Sequence, residues 1–183
     1  DFGLIIGEMD IDAAKKRDKK LRKQLLKGHM ETTRQKFIPD LKTGMIFKDN
    51  MDKNNSNLAG TLFVQPKIKK PRGNAILFDD YLPMRFLFIT NGVKYQKWME
   101  SYSGDWSEMG GIRINIQNEK TLTKFQTDSE IEDLIEVGNI FSNWAMKYNI
   151  KAVIVRPDRY IYSKIENEDS FAKIFLSIKE FTI

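Results

Sequence analysis

The stretch AVIVRPDRYIY, Ala152 to Tyr162, limits the fold more than any other part of this 183-residue chain. Two β-rich runs flank Arg156-Pro157-Asp158-Arg159. Pro157 presets the backbone for a turn, and Asp158 can hydrogen-bond back to the main chain. A turn this tight forces its two strands antiparallel, so the rest of the chain must build a sheet that ends in a hairpin. Upstream, Met84 to Thr90 (MRFLFIT) has the length and continuous apolar character of a central strand covered on both faces. Val93 to Tyr102 reads as a helix. In GIRINIQ, Ile112, Ile114 and Ile116 alternate with Arg113, Asn115 and Gln117, the period of a strand. Ser129-Glu130-Ile131-Glu132 has the form of a capping box. It opens an expected helix with Ile131, Leu134, Ile135, Gly138, Phe141, Ala145 and Tyr148 along one side, closed by Asn149. Phe171, Ile174, Phe175, Ile178 and Phe181 mark a C-terminal helix.

The order from residue 84 is therefore β-α-β-α-β-β-α. A β-α-β unit is parallel with a right-handed crossover. The expected fold is α/β with a thioredoxin-like core: a mixed four-stranded sheet with helices on both faces, over residues 73–183. Residues 1–72 are expected to precede it as an N-terminal helix and connecting segment. That segment holds a strand-like run, Leu4 to Ile6, then a helix from Ala13 to Lys27. Asp10 or Asp12 would cap the helix and Gly28 would end it. Ile11, Ala14, Leu21 and Leu25 give this helix one narrow apolar face, which needs a partner. His29 to Asn57 is polar and contains KDNMDKNNSN, a surface loop; Gly60 to Ile68 reads as extended.

Such a core usually invites a redox reading, and the chain has no cysteine. Where a redox thioredoxin carries Cys-x-x-Cys, the strand-to-helix turn reads Thr90-Asn91-Gly92-Val93-Lys94, so the helix end that would activate a thiol has no thiol to act on. Where such a protein carries its cis-proline, the sequence reads Asn149-Ile150-Lys151-Ala152. The expectation is a scaffold without dithiol chemistry. The single histidine, His29, falls in a polar loop past a helix end, the place of a solvated side chain or a helix C-terminal partner. Paired acids occur at Asp79-Asp80, at Glu130, Glu132 and Asp133, and at Glu166, Glu168 and Asp169. The last two groups sit at expected helix starts, where carboxylates favour the dipole; Asp79-Asp80 reads as a turn or cap. Neither G-x-G-x-x-G nor a P-loop is present.

The formal charge of +5 is concentrated in KKRDKKLRKQLLK, Lys15 to Lys27. Such runs bind nucleic acid or anionic membranes, and are also common as solvated helix faces, the reading adopted here. Phe86, Phe88, Trp98, Trp144, Tyr160 and Tyr162 are read as core rather than a base-stacking platform. No apolar run approaches a membrane span. A cysteine-free chain suits the cytosol, and a start at Asp1-Phe2-Gly3, without Met, suggests a piece of a longer polypeptide.

AVIVRPDRYIY resembles the "A-V-L-V-R-P-D-x-Y-V" stretch near the end of the C-terminal domain of flavin-dependent aromatic-ring hydroxylases. The nearest group is the 3-(3-hydroxyphenyl)propionate hydroxylase type, within the phenol hydroxylase and pentachlorophenol monooxygenase superfamily. AGTLFVQPKI (Ala59 to Ile68) resembles a "G-T-L-x-P-Q-P" segment, with Val64 in place of proline. LFDDYLPMRFLFIT (Leu77 to Thr90) resembles "L-L-D-D-x-x-G-x-x-F-x-L-L", with Pro83 near the usual glycine. GEMDIDAAKKRD (Gly7 to Asp18) resembles the "D-x-x-A-A-x-x-R-D" helix that leaves the catalytic region. The family's G-x-G-x-x-G, D-G and G-D motifs lie upstream and have no counterpart here.

The resemblance thus implies no catalytic, cofactor-binding or metal residue in this chain. Arg156, Pro157, Asp158 and Arg159 would be a structural marker turn. The parent protein would hydroxylate a phenolic ring with FAD, NAD(P)H and O2, in the cytoplasm. This domain would pack on the upstream FAD-binding catalytic domain and, in some members, form a homodimer contact, with no nucleic-acid or membrane partner. The alternative is a stand-alone, redox-inactive thioredoxin-like protein-binding module. A nucleic-acid binder using Lys15 to Lys27 ranks behind both.

Overall fold

The computed structural model describes residues 7–26, 38–47, 58–119 and 130–182. Helix α1 spans Ile11–Leu26. Asp10 starts it: its Oδ1 accepts the backbone N–H groups of Asp12 (2.8 Å) and Ala13 (2.9 Å), which no helical carbonyl reaches. Among the described residues, α1 packs extensively against no other element. Ile11 is accordingly 71% exposed. The expected strand Leu4 to Ile6, the stop at Gly28, His29 and the KDNMDKNNSN loop lie outside the described residues.

Strands β1 (Lys67–Lys69) and β2 (Ile76–Leu77) come next, then the short helix α2 (Phe78–Tyr81) and β3 (Leu87–Thr90). A 3₁₀ helix, Val93–Tyr102, runs into α3 (Ser103–Glu108) and leads to β4 (Ile112–Asn118). Strand β5 (Ile131–Val137), helix α4 (Ile140–Lys147), the hairpin β6 (Ala152–Val155) and β7 (Ile161–Ile165), and helix α5 (Glu168–Thr182) complete the order. All strands share one sheet in the order β2-β1-β5-β4-β3-β6-β7. Strand β4 is parallel to both β3 and β5, whereas β6, β7, β1 and β2 run antiparallel to their neighbours.

The α/β class and the mixed sheet are as expected, with β3 and β4 parallel and β6 and β7 antiparallel. The strand count differs: among the described residues the sheet has seven strands, not four. Two of the additional strands, β1 and β2, are too short for alternation to show. They pair across residue 72, so residues on both sides of that position build one sheet.

The third additional strand, β5, is the first half of the segment read as a helix from Ser129. Ile131, Leu134 and Ile135 suit one side of a helix, but β5 is held between β4 and β1. Gly138 (φ 98°) and Asn139 (φ 61°) then turn the chain through left-handed backbone before α4 begins. Glu130, Glu132 and Asp133 therefore lie at and along a strand, not in a first helical turn. Glu168 and Asp169 do occupy the first turn of α5. Asn149 follows α4 with φ 50°, the expected left-handed stop.

Each face of the sheet has its own core. On one, Leu87, Ile89, Ile114, Ile116, Val153 and Val155 meet Phe63, Phe78 and the α4 residues Phe141 and Trp144. On the other, Phe88, Ile154 and Tyr162 meet Trp98 and Met99 of the 3₁₀ helix, Trp106 of α3, and Phe171, Phe175 and Ile178 of α5. Every residue of β3 is buried, as a strand covered on both sides must be.

Candidate functional site

Two polar constellations stand out against this apolar body. The first is the hairpin tip. Arg159 N–H donates to the Arg156 carbonyl (3.0 Å) and Arg156 N–H to the Tyr160 carbonyl (2.8 Å), which closes the turn around Pro157 and Asp158. Asp158 accepts two bonds from the Arg156 guanidinium (3.1 and 2.7 Å), and Arg156 Nη1 reaches the Met45 carbonyl at 2.8 Å. Arg159 takes left-handed backbone (φ 69°), which aims its side chain back under the turn rather than into solvent. Only 7% of that side chain is exposed. Its Nε donates to Asp79 Oδ1 (3.0 Å), its Nη2 to the carbonyls of Leu82 (2.7 Å) and Pro83 (3.2 Å), and its guanidinium lies 5.9 Å from the Phe78 ring centroid. The four turn residues thus stay together, and Asp79, read from sequence only as a turn or cap, joins them. The Arg159–Asp79 pair spans 80 residues of sequence, so no local pattern could have revealed it.

The second constellation begins on β4. Arg113, Asn115 and Gln117 do share one face of the strand, but all three are buried along with Thr90 and Gln96. Buried polar groups must pair, and these do. Gln96 Nε2 donates to Thr90 Oγ1 (2.9 Å) and to the Ile114 carbonyl (2.8 Å). Arg113 Nε donates to Gln96 Oε1 (3.3 Å) and its Nη1 meets Glu130 at 3.4 Å. Asn115 accepts the Gly92 N–H (3.1 Å) and donates to Asp133 (2.6 Å). This network fixes the turn after β3, the place a redox thioredoxin would use for its cysteines. Replacing Asn115 by leucine removes the acceptor of the half-buried Gly92 N–H and one of the amide donors to the half-buried Asp133, which keeps Gln117. The expected cost is about 2 kcal/mol, read as a lower urea midpoint with an unchanged slope. A loss below about 0.5 kcal/mol would mean the network is not needed to hold the turn.

Beside this turn, at the carboxyl ends of β3, β4 and β5, lies an open cleft of about 580 Å³. Asn91, Tyr95, Asn118, Asn139, Asn143 and Asn149 are among its lining residues. The sequence motifs gave no sign of it, because its asparagines come from separate segments of the chain.

The other candidates separate from any site. Phe88, Trp98, Trp144 and Tyr162 are buried, and so form core and not a stacking surface. In α1, Lys15 pairs with Asp12 and Arg17 with Asp18 on an exposed helix. Burial and the Glu132 hydrogen bond push the Tyr81 hydroxyl pKa up, while Glu132, by hydrogen bond and by charge, holds Lys70 more firmly protonated. Among the described residues, no group of three or more acids or histidines could hold a metal, and no helix is long and apolar enough to cross a membrane. The turn after β3, where a helix start could hold a diphosphate, does not fit the flavin implied for the parent. The turn after β3 has one glycine, Gly92, its N–H is already taken by Asn115, and a 3₁₀ helix follows.

Residues 60–174, more than half of the chain, match the family model of the HcaD C-terminal domain. A 3-(3-hydroxy-phenyl)propionate/3-hydroxycinnamic acid hydroxylase of Klebsiella pneumoniae subsp. pneumoniae is 24% identical over 140 residues, covering 74% of this chain and 24% of the relative. A similarly named hydroxylase of Burkholderia vietnamiensis is 26% identical over 106 residues, covering 56% of this chain and 17% of the relative. The chain thus spans less than a quarter of the length of these curated relatives. Among solved structures, the ternary complex of aklavinone-11 hydroxylase with FAD and aklavinone is similar, with a TM-score of 0.44 and 11% identity over 77% of this chain and 26% of that one.

Proposed function

This chain belongs to the HcaD C-terminal domain family, and from that premise we propose that it is the non-catalytic C-terminal domain of a larger, cytoplasmic hydroxylase of phenolic rings. In this reading FAD and NAD(P)H act in the upstream part of the polypeptide. The domain packs on that part, or bridges two subunits, and carries no reacting group of its own. The Arg156–Arg159 turn is then a structural element that secures the hairpin to the Phe78–Pro83 segment.

The observation that carries the proposal is the match to a C-terminal domain family, together with a similarity that covers less than a quarter of a related hydroxylase's length. Helix α1 supports it. An amphipathic helix with Ile11 71% exposed leaves apolar surface that a further part of the same polypeptide would cover. The test is the mass of the native polypeptide that carries the AVIVRPDRYIY peptide, taken from its source cells. The expected result is a mass several times 21.4 kDa, together with a flavin absorption spectrum in the purified native protein. A native mass near 21.4 kDa without flavin would overturn the proposal and favour a free-standing binding module.

A further inference from the structure

The cleft at the carboxyl ends of the parallel strands is built largely from carboxamides. Asn91 follows β3, Asn118 ends β4, Asn139 and Asn143 belong to the start and body of α4, and Asn149 follows α4. Backbone geometry accounts for two of them. Asn139 (φ 61°) and Asn149 (φ 50°) occupy left-handed positions that asparagine tolerates better than most residues. Asn118 donates to the Asn139 side chain and so orients it.

Asn91 and Asn143 have no such account. Both are exposed and neither has left-handed backbone. Asn143 sits within α4, where asparagine is a poor helix former. The side chains of Asn91, Asn143 and Asn149 make no hydrogen bond to the described residues. They nevertheless line one cleft, because the Asn91 N–H bonds the Lys151 carbonyl (2.9 Å) and ties the β3 turn to the start of β6.

The charge of the cleft narrows what it can take. Among the described residues, no acidic side chain lines it. The one cation among the described lining residues, Lys151, already donates to the Glu166 carbonyl at 3.1 Å. An unpaired carboxamide offers an acceptor oxygen and two N–H donors side by side. A peptide backbone offers the complement, an N–H and a carbonyl on each residue. The cleft is open rather than enclosed, which suits a segment passing through it, and Met146, 78% exposed, supplies an apolar rim for a side chain. We propose that this cleft binds an extended, uncharged peptide segment through its main-chain amides, held by Asn91, Asn143 and Asn149.

The probe is acetyl-tetraalanine amide, an uncharged backbone with minimal side chains, titrated into the 183-residue chain. Its binding is followed by ¹H–¹⁵N spectra that include the asparagine side-chain NH2 groups. Saturable shifts are expected at Asn91, Asn143 and Asn149, with none at the exposed Asn74. An analogue in which one central amide is replaced by an ester lacks one N–H donor and is expected to bind about tenfold more weakly. Asn143→Ala and Asn149→Gly, the latter compatible with the left-handed backbone, should each weaken binding at least about fivefold and leave the remaining spectrum unchanged. Three results would overturn the proposal: no saturable shift at the cleft, equal shifts at Asn74, or an ester analogue that binds as well as the amide. Sodium acetate producing the same shifts, centred on Lys151, would also overturn it and mark an anion site instead.

Discussion

Arg159→Ala is expected to destabilise the fold by about 3 kcal/mol, because it takes the cation from a largely buried ion pair and leaves Asp79 with the Gln65 amide (3.1 Å) but without its charged partner. The loss has several parts. Asp79 gives up its 3.0 Å partner, and the carbonyls of Leu82 and Pro83 lose the Nη2 that served both. Asp79 keeps some contact with water, with 22% of its side chain exposed, which holds the cost below the upper range for such pairs. The left-handed backbone at residue 159 adds a separate component that alanine retains and glycine relieves. Arg159→Gly should therefore lose about 1 kcal/mol less than Arg159→Ala. Urea unfolding of Arg159→Ala, Asp79→Ala and the double variant separates the pair from its surroundings. A coupling energy of at least about 1.5 kcal/mol is expected. Additive losses would show that the hairpin is held by its apolar strands alone, and that the Arg-Pro-Asp-Arg turn does not anchor the Phe78–Pro83 segment.

That pair also shows what could be read in the sequence and what could not. The turn at Pro157 was legible because its residues are adjacent and each has a local role. Its anchor was not, because Asp79 lies on α2 and only the folded chain brings it beneath Arg159. The same division runs through the sheet. Strands β3, β4, β6 and β7 announce themselves by apolar runs or alternation. Strands β1 and β2, three and two residues long, carry no period and exist because β5 and each other supply partners.

Strand β5 is the instructive error. IEDLIEV places apolar residues where either period can use them, and an acidic start imitates a capping box. The deciding signal was Gly138-Asn139, a break between a strand and a shorter helix. Counting Gly138 along one side of a single helix merged two elements into one. The polar side of β4 shows a subtler limit. Alternation placed Arg113, Asn115 and Gln117 on one face correctly, but alternation does not tell a solvated face from a buried hydrogen-bonded one. The asparagine cleft lay beyond sequence reading for a related reason, since its carboxamides meet only where separate strand and helix ends converge.

Where β5 passes into α4, one side chain bears on both. Glu136 is 2% exposed, at the end of a strand covered by apolar neighbours. The residue in the N-cap position, Asn139, makes no side-chain bond to the first turn. Glu136 takes over that role from the preceding strand: its carboxylate accepts the N–H groups of Phe141 and of Ser142 (2.9 Å), and the Ser142 hydroxyl. A negative group at a helix N-terminus is favoured by the helix dipole as well as by these bonds. Glu136→Ala strands two buried or half-buried backbone donors at once and is expected to cost about 3 kcal/mol. For a chain of this size that corresponds to a melting temperature lower by roughly 6–12 °C. Glu136→Gln keeps the shape but turns an amide group toward donors that need an acceptor, so a loss of about 1.5–2 kcal/mol is expected there. Trp144 of α4, whose ring meets Phe63 edge-on at 5.5 Å, supplies a fluorescence probe of the same helix. Its emission should shift to the red in Glu136→Ala before global unfolding, since a loosened α4 lets water reach the indole. A melting temperature within about 2 °C of the parent for Glu136→Ala would show that α4 is held by Phe141 and Trp144 in the core, and that the carboxylate adds nothing to it.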